Sequence, residues 1–191
     1  GMAGYSIVGT EQTELSDDEV EASYSGSAGV SIGSTVRQAA FALRFGEIEP
    51  LISDSITSRS KVIYIRDVLE RVAEIAPFLQ FDPDPYPVLI DGRVKYIVDG
   101  YTTTPYYPYA QHVAETDVDA AAGGSFNYIR NSVKAVVDAY DGTVTLYLTD
   151  DLAGEPDPII RAYAKAFPGM FTKDIPDNVM QHFRYPEFMF K

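Results

Sequence analysis

Cysteine is absent from this 191-residue chain, which excludes disulfides, a thiolate nucleophile and any cysteine-ligated metal. The redox compartment stays open, because exported domains also exist without disulfides. Histidine is nearly absent too. His112 and His182 are the only two, they lie far apart, and no GxSxG elbow accompanies them. HExxH, Walker-type and GxGxxG patterns are missing as well. No apolar run approaches the ~18 residues of a membrane span, and no segment reads as a signal peptide. Positive charge is scarce: 15 basic residues against 28 acidic give a net charge of −13 and a pI near 4.4. Such a surface repels phosphate backbones and anionic headgroups, so nucleic acid is not an expected partner. The acids do not form a metal loop either. Asp82 and Asp84, Asp117 and Asp119, and the group Asp150, Asp151, Glu155 and Asp157 fail the EF-hand spacing. No feature selects a carboxylate pair for glycoside-type hydrolysis. No catalytic residue, metal site or cofactor is therefore expected.

What is present is enough apolar material for a real core, at 46% hydrophobic residues, and two hairpin signatures. Asp141-Gly142 lies between alternating runs, the pattern of a two-residue type I′ turn. That turn would oppose Tyr140 to Thr143 and place Ala139/Val144, Val137/Leu146 and Ala135/Leu148 on one apolar face. Asp138/Thr145, Val136/Tyr147 and Lys134/Thr149 would share a second, wetter face. Asp91-Gly92 predicts a similar turn between Tyr86–Ile90 and a strand from Arg93 to Val98. There Val94, Tyr96 and Val98 point one way, Lys95 and Ile97 the other. A helix should follow the later hairpin, with Asp157 as its N-cap, Pro158 at its first position, and Ile159, Ile160, Tyr163 and Phe167 at helical spacing.

Elsewhere, Tyr5–Val8 reads as a short strand and Glu11 to Gly33 as a flexible acidic loop. Ser34 caps a helix to Phe45 that Gly46 ends, with Val36, Ala40 and Leu43 expected inward. Lys61 to Ile65 has strand character. Arg66 to Ala76 predicts a helix with a stripe of Val68, Leu69, Val72, Ile75 and Ala76, and with Asp67 and Arg71 spaced as an i,i+4 pair. A short helix is expected from Pro176 to Phe183. Helices and hairpins without a βαβ rhythm give an α+β fold, antiparallel hairpins packed against short amphipathic helices. Residues 1–33 form a strand plus loop, and 34–191 one α+β domain that divides, if at all, into 34–110 and 125–191.

The segment Asp99-Gly-Tyr-Thr-Thr-Thr-Pro-Tyr-Tyr-Pro-Tyr109 concentrates tyrosines. Each offers a flat apolar face with a polar tip, which suits contact with sugar or protein. Asp99, Tyr101, Tyr106, Tyr107 and Tyr109 are thus the candidate ligand-binding residues; the alternative is a loop pinned to the core by its rings.

The phrases RVAEIAPFL at 71–79, DPYPV at 84–88, DGYTTT at 99–104, NYIRNSVKAVVDAYDGTV at 127–144 and DPIIRAYAKAFPG at 157–169 together resemble the uncharacterised family 0182 of large bacterial integral-membrane proteins. That resemblance implies a multi-pass N-terminal half followed by a polar extracytoplasmic region, of which this chain would be an internal piece. Gly1 before Met2 reads as a scar of tag removal, in keeping with an excerpt. The family carries no established activity or catalytic residues. The expected role is a non-catalytic extracytoplasmic module of a protein in the cell membrane. Its partners would be the remainder of that parent protein and a cell-envelope ligand or protein. The alternative is part of an envelope-modifying hydrolase working through paired carboxylates.

Overall fold

Antiparallel pairing dominates the computed structural model, which describes residues 5–10, 24–46, 54–112, 126–149 and 157–190. Helices and strands are mixed, with strands grouped in antiparallel sheets, so the α+β class is confirmed. The chain divides into two units, Gly1–Arg66 and Asp67–Lys191. The acids at 115–119 and 150–155 lie outside the described residues, as does most of the acidic loop expected over 11–33.

In the first unit, strands β1 (Tyr5–Val8), β2 (Val30–Ser31) and β3 (Lys61–Tyr64) form a sheet in the order β1-β3-β2. Helix α1 (Thr35–Phe45) starts at Ser34, whose side chain accepts from the Arg37 N–H. It stops at Gly46, left-handed at φ 70°. Its buried face differs from the expected one. Val36 and Leu43 are 80% and 87% exposed, and Ala40 is exposed as well, whereas Ala42 is buried and Phe41 and Phe45 pack around it. Two apolar stripes compete on this helix, and the one carrying the rings removes more area from water. Phe45 stacks on Tyr5 at 4.3 Å, and Ile32 and Val62 complete the cluster. Strand β1, helix α1 and strand β3 thus share one core within the unit that ends at Arg66.

In the second unit a six-stranded sheet runs β4 (Gln80–Phe81), β6 (Arg93–Thr104), β7 (Tyr128–Asp138), β8 (Val144–Leu148), β9 (Phe171–Thr172), with β5 (Tyr86–Ile90) also paired to β6. Among the described residues, only β8 and β9 pair in parallel. Helices α2 (Val68–Ile75) and α3 (Pro158–Ala166) cover one face. There Val72, Ala76 and Ile160 meet Val98, Val133, Ala135, Val137, Leu146 and Leu148. Asp67 caps α2 through the Glu70 N–H, and the Arg71 guanidinium donates to the Gly142 carbonyl at 3.0 Å.

The first hairpin forms as its residues predict: Asp91 and Gly92 have φ of 52° and 73°, and Ile90 pairs with Arg93. The second does not close on two residues. Val137 pairs with Val144, so the strands are displaced by two positions. Asp138 is the cause. Its carboxylate accepts from the Tyr140 and Asp141 N–H groups at 2.9 and 3.1 Å, and its carbonyl accepts from Gly142 at 2.9 Å. That side-chain turn favours a longer loop. A shift of two preserves parity, so the apolar face is the expected one. The other face is not wet. Lys134, Val136 and Tyr147 are buried there, because helix α4 (Asp177–Met180) and the segment after it, with Val179 and Phe183, pack over it.

At Gly92 an added Cβ meets nothing within 4 Å, so only the left-handed backbone opposes a side chain. Gly92→Ala is expected to cost about 1 kcal/mol, read as a lower urea midpoint with an unchanged m-value.

Candidate functional site

β6 reaches six residues beyond the end expected for it, to Thr104. Asp99 and Tyr101 consequently sit inside the sheet, 6% and 3% exposed, and not on the tyrosine loop. Gly100 permits the continuation: a Cβ there would lie 3.2 Å from both Phe81 and Val133. The exposed loop is confined to Pro105–Tyr109.

That loop is held firmly. Asn127 brackets its backbone, accepting from the Tyr107 N–H at 2.9 Å and donating to the Tyr107 carbonyl at 2.8 Å and the Ala110 carbonyl at 3.3 Å. Pro105 and Pro108 fix two φ angles. Tyr107 stacks on Tyr128 with centroids 4.9 Å apart. Tyr106 and Tyr109 then project into water, 89% and 109% exposed. Tyr109 adopts φ 62°, a strained conformation for a bulky residue that the neighbouring hydrogen bonds must offset.

The support beneath the loop depends on a β-bulge. Gly100 pairs with Val133 but Tyr101 pairs with Asn131, leaving Ser132 as the extra residue of β7. Beyond it the side-chain alternation of β7 reverses. Ser132 and Tyr128 now face the same way as Thr102 on β6, and all three donate to Asp157. The Tyr128 hydroxyl lies 2.7 Å from Asp157 Oδ1, the Ser132 hydroxyl 2.5 Å from Oδ2, and Thr102 Oγ1 also donates to Oδ2. The Ile159 N–H completes the set at 2.9 Å, so the same carboxylate caps α3. Asp157 is 2% exposed. Burial works to raise its pKa, but the Ser132, Thr102 and Tyr128 hydroxyls and the Ile159 N–H together hold it below the usual carboxylate range. Burial, then the bond to Asp157, pushes the Tyr128 hydroxyl up to about 12.

On the opposite face Asp99 is a buried counter-ion. Lys134 pairs with it and also donates to the Arg184 carbonyl at 2.7 Å, while Asn131 donates to Asp99 at 2.9 Å. Burial raises the Asp99 pKa against the pull of Lys134. Tyr101 donates to Asp82 at 2.9 Å, and burial followed by that bond raises its pKa. Of the five candidate residues, then, Tyr106, Tyr107 and Tyr109 share the loop, and Asp99 and Tyr101 belong to the sheet beneath it. The sequence reading missed Asn127, Tyr128 and Ser132. Their polar run before the apolar Val133 was visible, but nothing local signals a bulge. Among the described residues, no three His, Cys, Asp or Glu side chains group to hold a metal ion.

Residues 2–191 match the uncharacterised protein family UPF0182. The chain belongs to this family. It is similar to a UPF0182 protein of Frankia alni, 48% identical over 98% of the chain and 20% of the relative. UPF0182 proteins of Salinispora tropica and Rhodococcus erythropolis are 44% and 45% identical over 98% and 99% of the chain. This UPF0182 chain spans about a fifth of the length of these relatives. No solved structure matches it significantly. No helix among the described residues is long and apolar enough to cross a membrane.

Asp157→Ala removes a helix cap and the shared acceptor of three hydroxyls, and is expected to cost about 3 kcal/mol at neutral pH. The folded-state pKa of Asp157 lies below the unfolded value of about 3.9. Its contribution is therefore complete above that pH and is lost as pH falls through the folded-state pKa. Urea midpoints from about pH 5 downward should fall less steeply for Asp157→Asn than for the parent chain. Identical slopes would contradict an ionised, hydroxyl-bound Asp157.

Proposed function

We propose that this region of the UPF0182 protein is a non-catalytic extracytoplasmic binding module whose contact surface is the tyrosine loop. The observation that carries the reading is rigidity combined with exposure. Tyr106 and Tyr109 stand in water on a backbone bracketed by Asn127 and anchored through Tyr107 on Tyr128. Exposed rings on a free-standing loop would lose entropy on binding, whereas a braced loop has already lost it. The partner is a cell-envelope glycan or protein, or another part of the same parent protein. Assignment to the extracytoplasmic side of a cell-membrane protein rests on what the resemblance to this family implies, a multi-pass N-terminal half followed by a long polar region.

A carboxylate-based hydrolase has one feature in its favour, the raised pKa of Asp99. That group is, however, enclosed by Lys134 and Asn131 and has little exposed surface for substrate. The binding reading uses exposed groups and is preferred.

A thermal-shift screen against cell-wall glycans and peptides supplies ligands, and the double variant Tyr106→Ala/Tyr109→Ala tests the loop. Both rings are exposed, so stability should stay within about 0.5 kcal/mol. Affinity for the loop's ligand should fall at least about tenfold, as for aromatic anchors at interfaces. If the double variant binds every ligand found as tightly as the parent chain, the tyrosine loop is not the binding surface.

A further inference from the structure

A second site, on the other face of the sheet from Asp157, points to a chemical class of ligand. A shallow cleft is lined by Gln80, Asp82, Pro83, Tyr101, Ile129 and Phe188. The register of β4 against β6 places it: Gln80 pairs with Tyr101 and Phe81 with Gly100. Asp82 follows opposite Asp99, donating its N–H to the Asp99 carbonyl at 2.9 Å. Because β7 reverses its alternation at the bulge, Ile129 joins this face beside Tyr101. Phe188, from the 3-10 turn Glu187–Phe190, closes one side with its ring centroid 5.5 Å from that of Tyr101, inclined at 50°.

The carboxylate of Asp82 is half-buried here and is served by neutral donors. The Tyr101 hydroxyl donates to Oδ2 at 2.9 Å and the Asp84 N–H to Oδ1 at 3.1 Å. Among the described residues no cationic side chain pairs with it, whereas Asp99 has Lys134, and Asp138 and Asp141 share Arg93. A partly desolvated carboxylate beside aromatic rings favours a cation twice over, by direct charge and by the negative faces of the rings. The apolar wall of Pro83, Ile129 and Phe188 suits a methylene stem leading to that charge. The net charge of −13 would draw a cationic partner toward the surface.

We propose that this cleft binds a lysine or arginine side chain of a basic peptide or protein segment, its stem on Phe188 and Ile129 and its charge at Asp82. The site is separate from the tyrosine loop, and the two can fail independently. The Tyr101 and Asp84 hydrogen bonds fix the carboxylate before the ligand arrives. Bidentate geometry would favour arginine over lysine if both oxygens are reached.

The test is titration of the isotope-labelled chain with hexa-arginine, hexalysine and hexaglutamate peptides, followed by amide NMR shifts. One of the cationic peptides should give saturable shifts centred on Asp82, Tyr101, Ile129 and Phe188, and hexaglutamate none. Asp82→Asn keeps an acceptor for Tyr101 but removes the charge, and should weaken binding at least fivefold. Phe188→Ala should weaken it by a similar factor. Asp174→Asn, which neutralises an exposed acid outside the cleft lining, should leave it unchanged, as should Tyr106→Ala/Tyr109→Ala. Shifts absent from the cleft, or an equal loss in Asp174→Asn and Asp82→Asn, would overturn the proposal in favour of diffuse attraction to an acidic surface.

Discussion

The carboxylate of Asp157 is where the second unit's separate elements are tied together. It caps α3 through the Ile159 N–H and accepts hydroxyls from β6 (Thr102), from the bulged residue of β7 (Ser132) and from Tyr128 beyond it. A carboxylate with almost no exposure is costly unless it is hydrogen-bonded on several sides, and here four donors meet it. Each donor constrains its own element. The bulge must fall at Ser132, since an unbroken ladder would turn that hydroxyl to the other face. Tyr128 must point down at Asp157, which lays its ring flat enough for Tyr107 to stack on it. The exposed loop thus inherits its position from a buried charge.

The same bulge organises the far face. Past Ser132, Asn131 and Ile129 are directed toward Asp99 and Tyr101, where Asn131 supports the Asp99–Lys134 pair. A buried ion pair adds little net stability over an apolar replacement, but it does fix what must lie against it. Lys134 takes the Arg184 carbonyl as a further acceptor, so the chain after α4 has to cross the sheet at that point. The crossing is reinforced by Tyr86, whose hydroxyl bonds the backbone of His182 and Arg184 and whose ring lies under the Arg184 guanidinium. Phe188 is thereby delivered to the Asp82 cleft. One irregularity in β7 positions both the tyrosine loop and the cleft.

Much of this was legible in the residues, and the exceptions share a cause. The Asp91-Gly92 turn, the caps at Ser34, Gly46 and Asp157, and the apolar face of Val144, Leu146 and Leu148 follow from local chemistry, which acts over a few residues. The Asp141-Gly142 loop went astray because Asp138, three positions earlier, offered the backbone a competing acceptor. Helix α1 carries two apolar stripes, and only the position of Tyr5, some forty residues distant in sequence, decides between them. Asp99 and Tyr101 read as loop residues because their strand continues by pairing with β4 and, across a long connection, with β7. The tyrosines beyond Thr104 stand out in the sequence by their density, while their exposure and their bracing by Asn127 are tertiary facts with no local signature.

The central claim, that a buried carboxylate and the ring under the tyrosine loop act as one unit, is tested most directly by a double-mutant cycle. Stabilities of the parent chain, Asp157→Ala, Tyr128→Phe and the double variant would be measured by urea unfolding at neutral pH. The account predicts a coupling above about 1 kcal/mol, because Tyr128→Phe removes little once its acceptor is gone. Additivity within about 0.3–0.5 kcal/mol would contradict it, and would leave the loop braced by Asn127 alone.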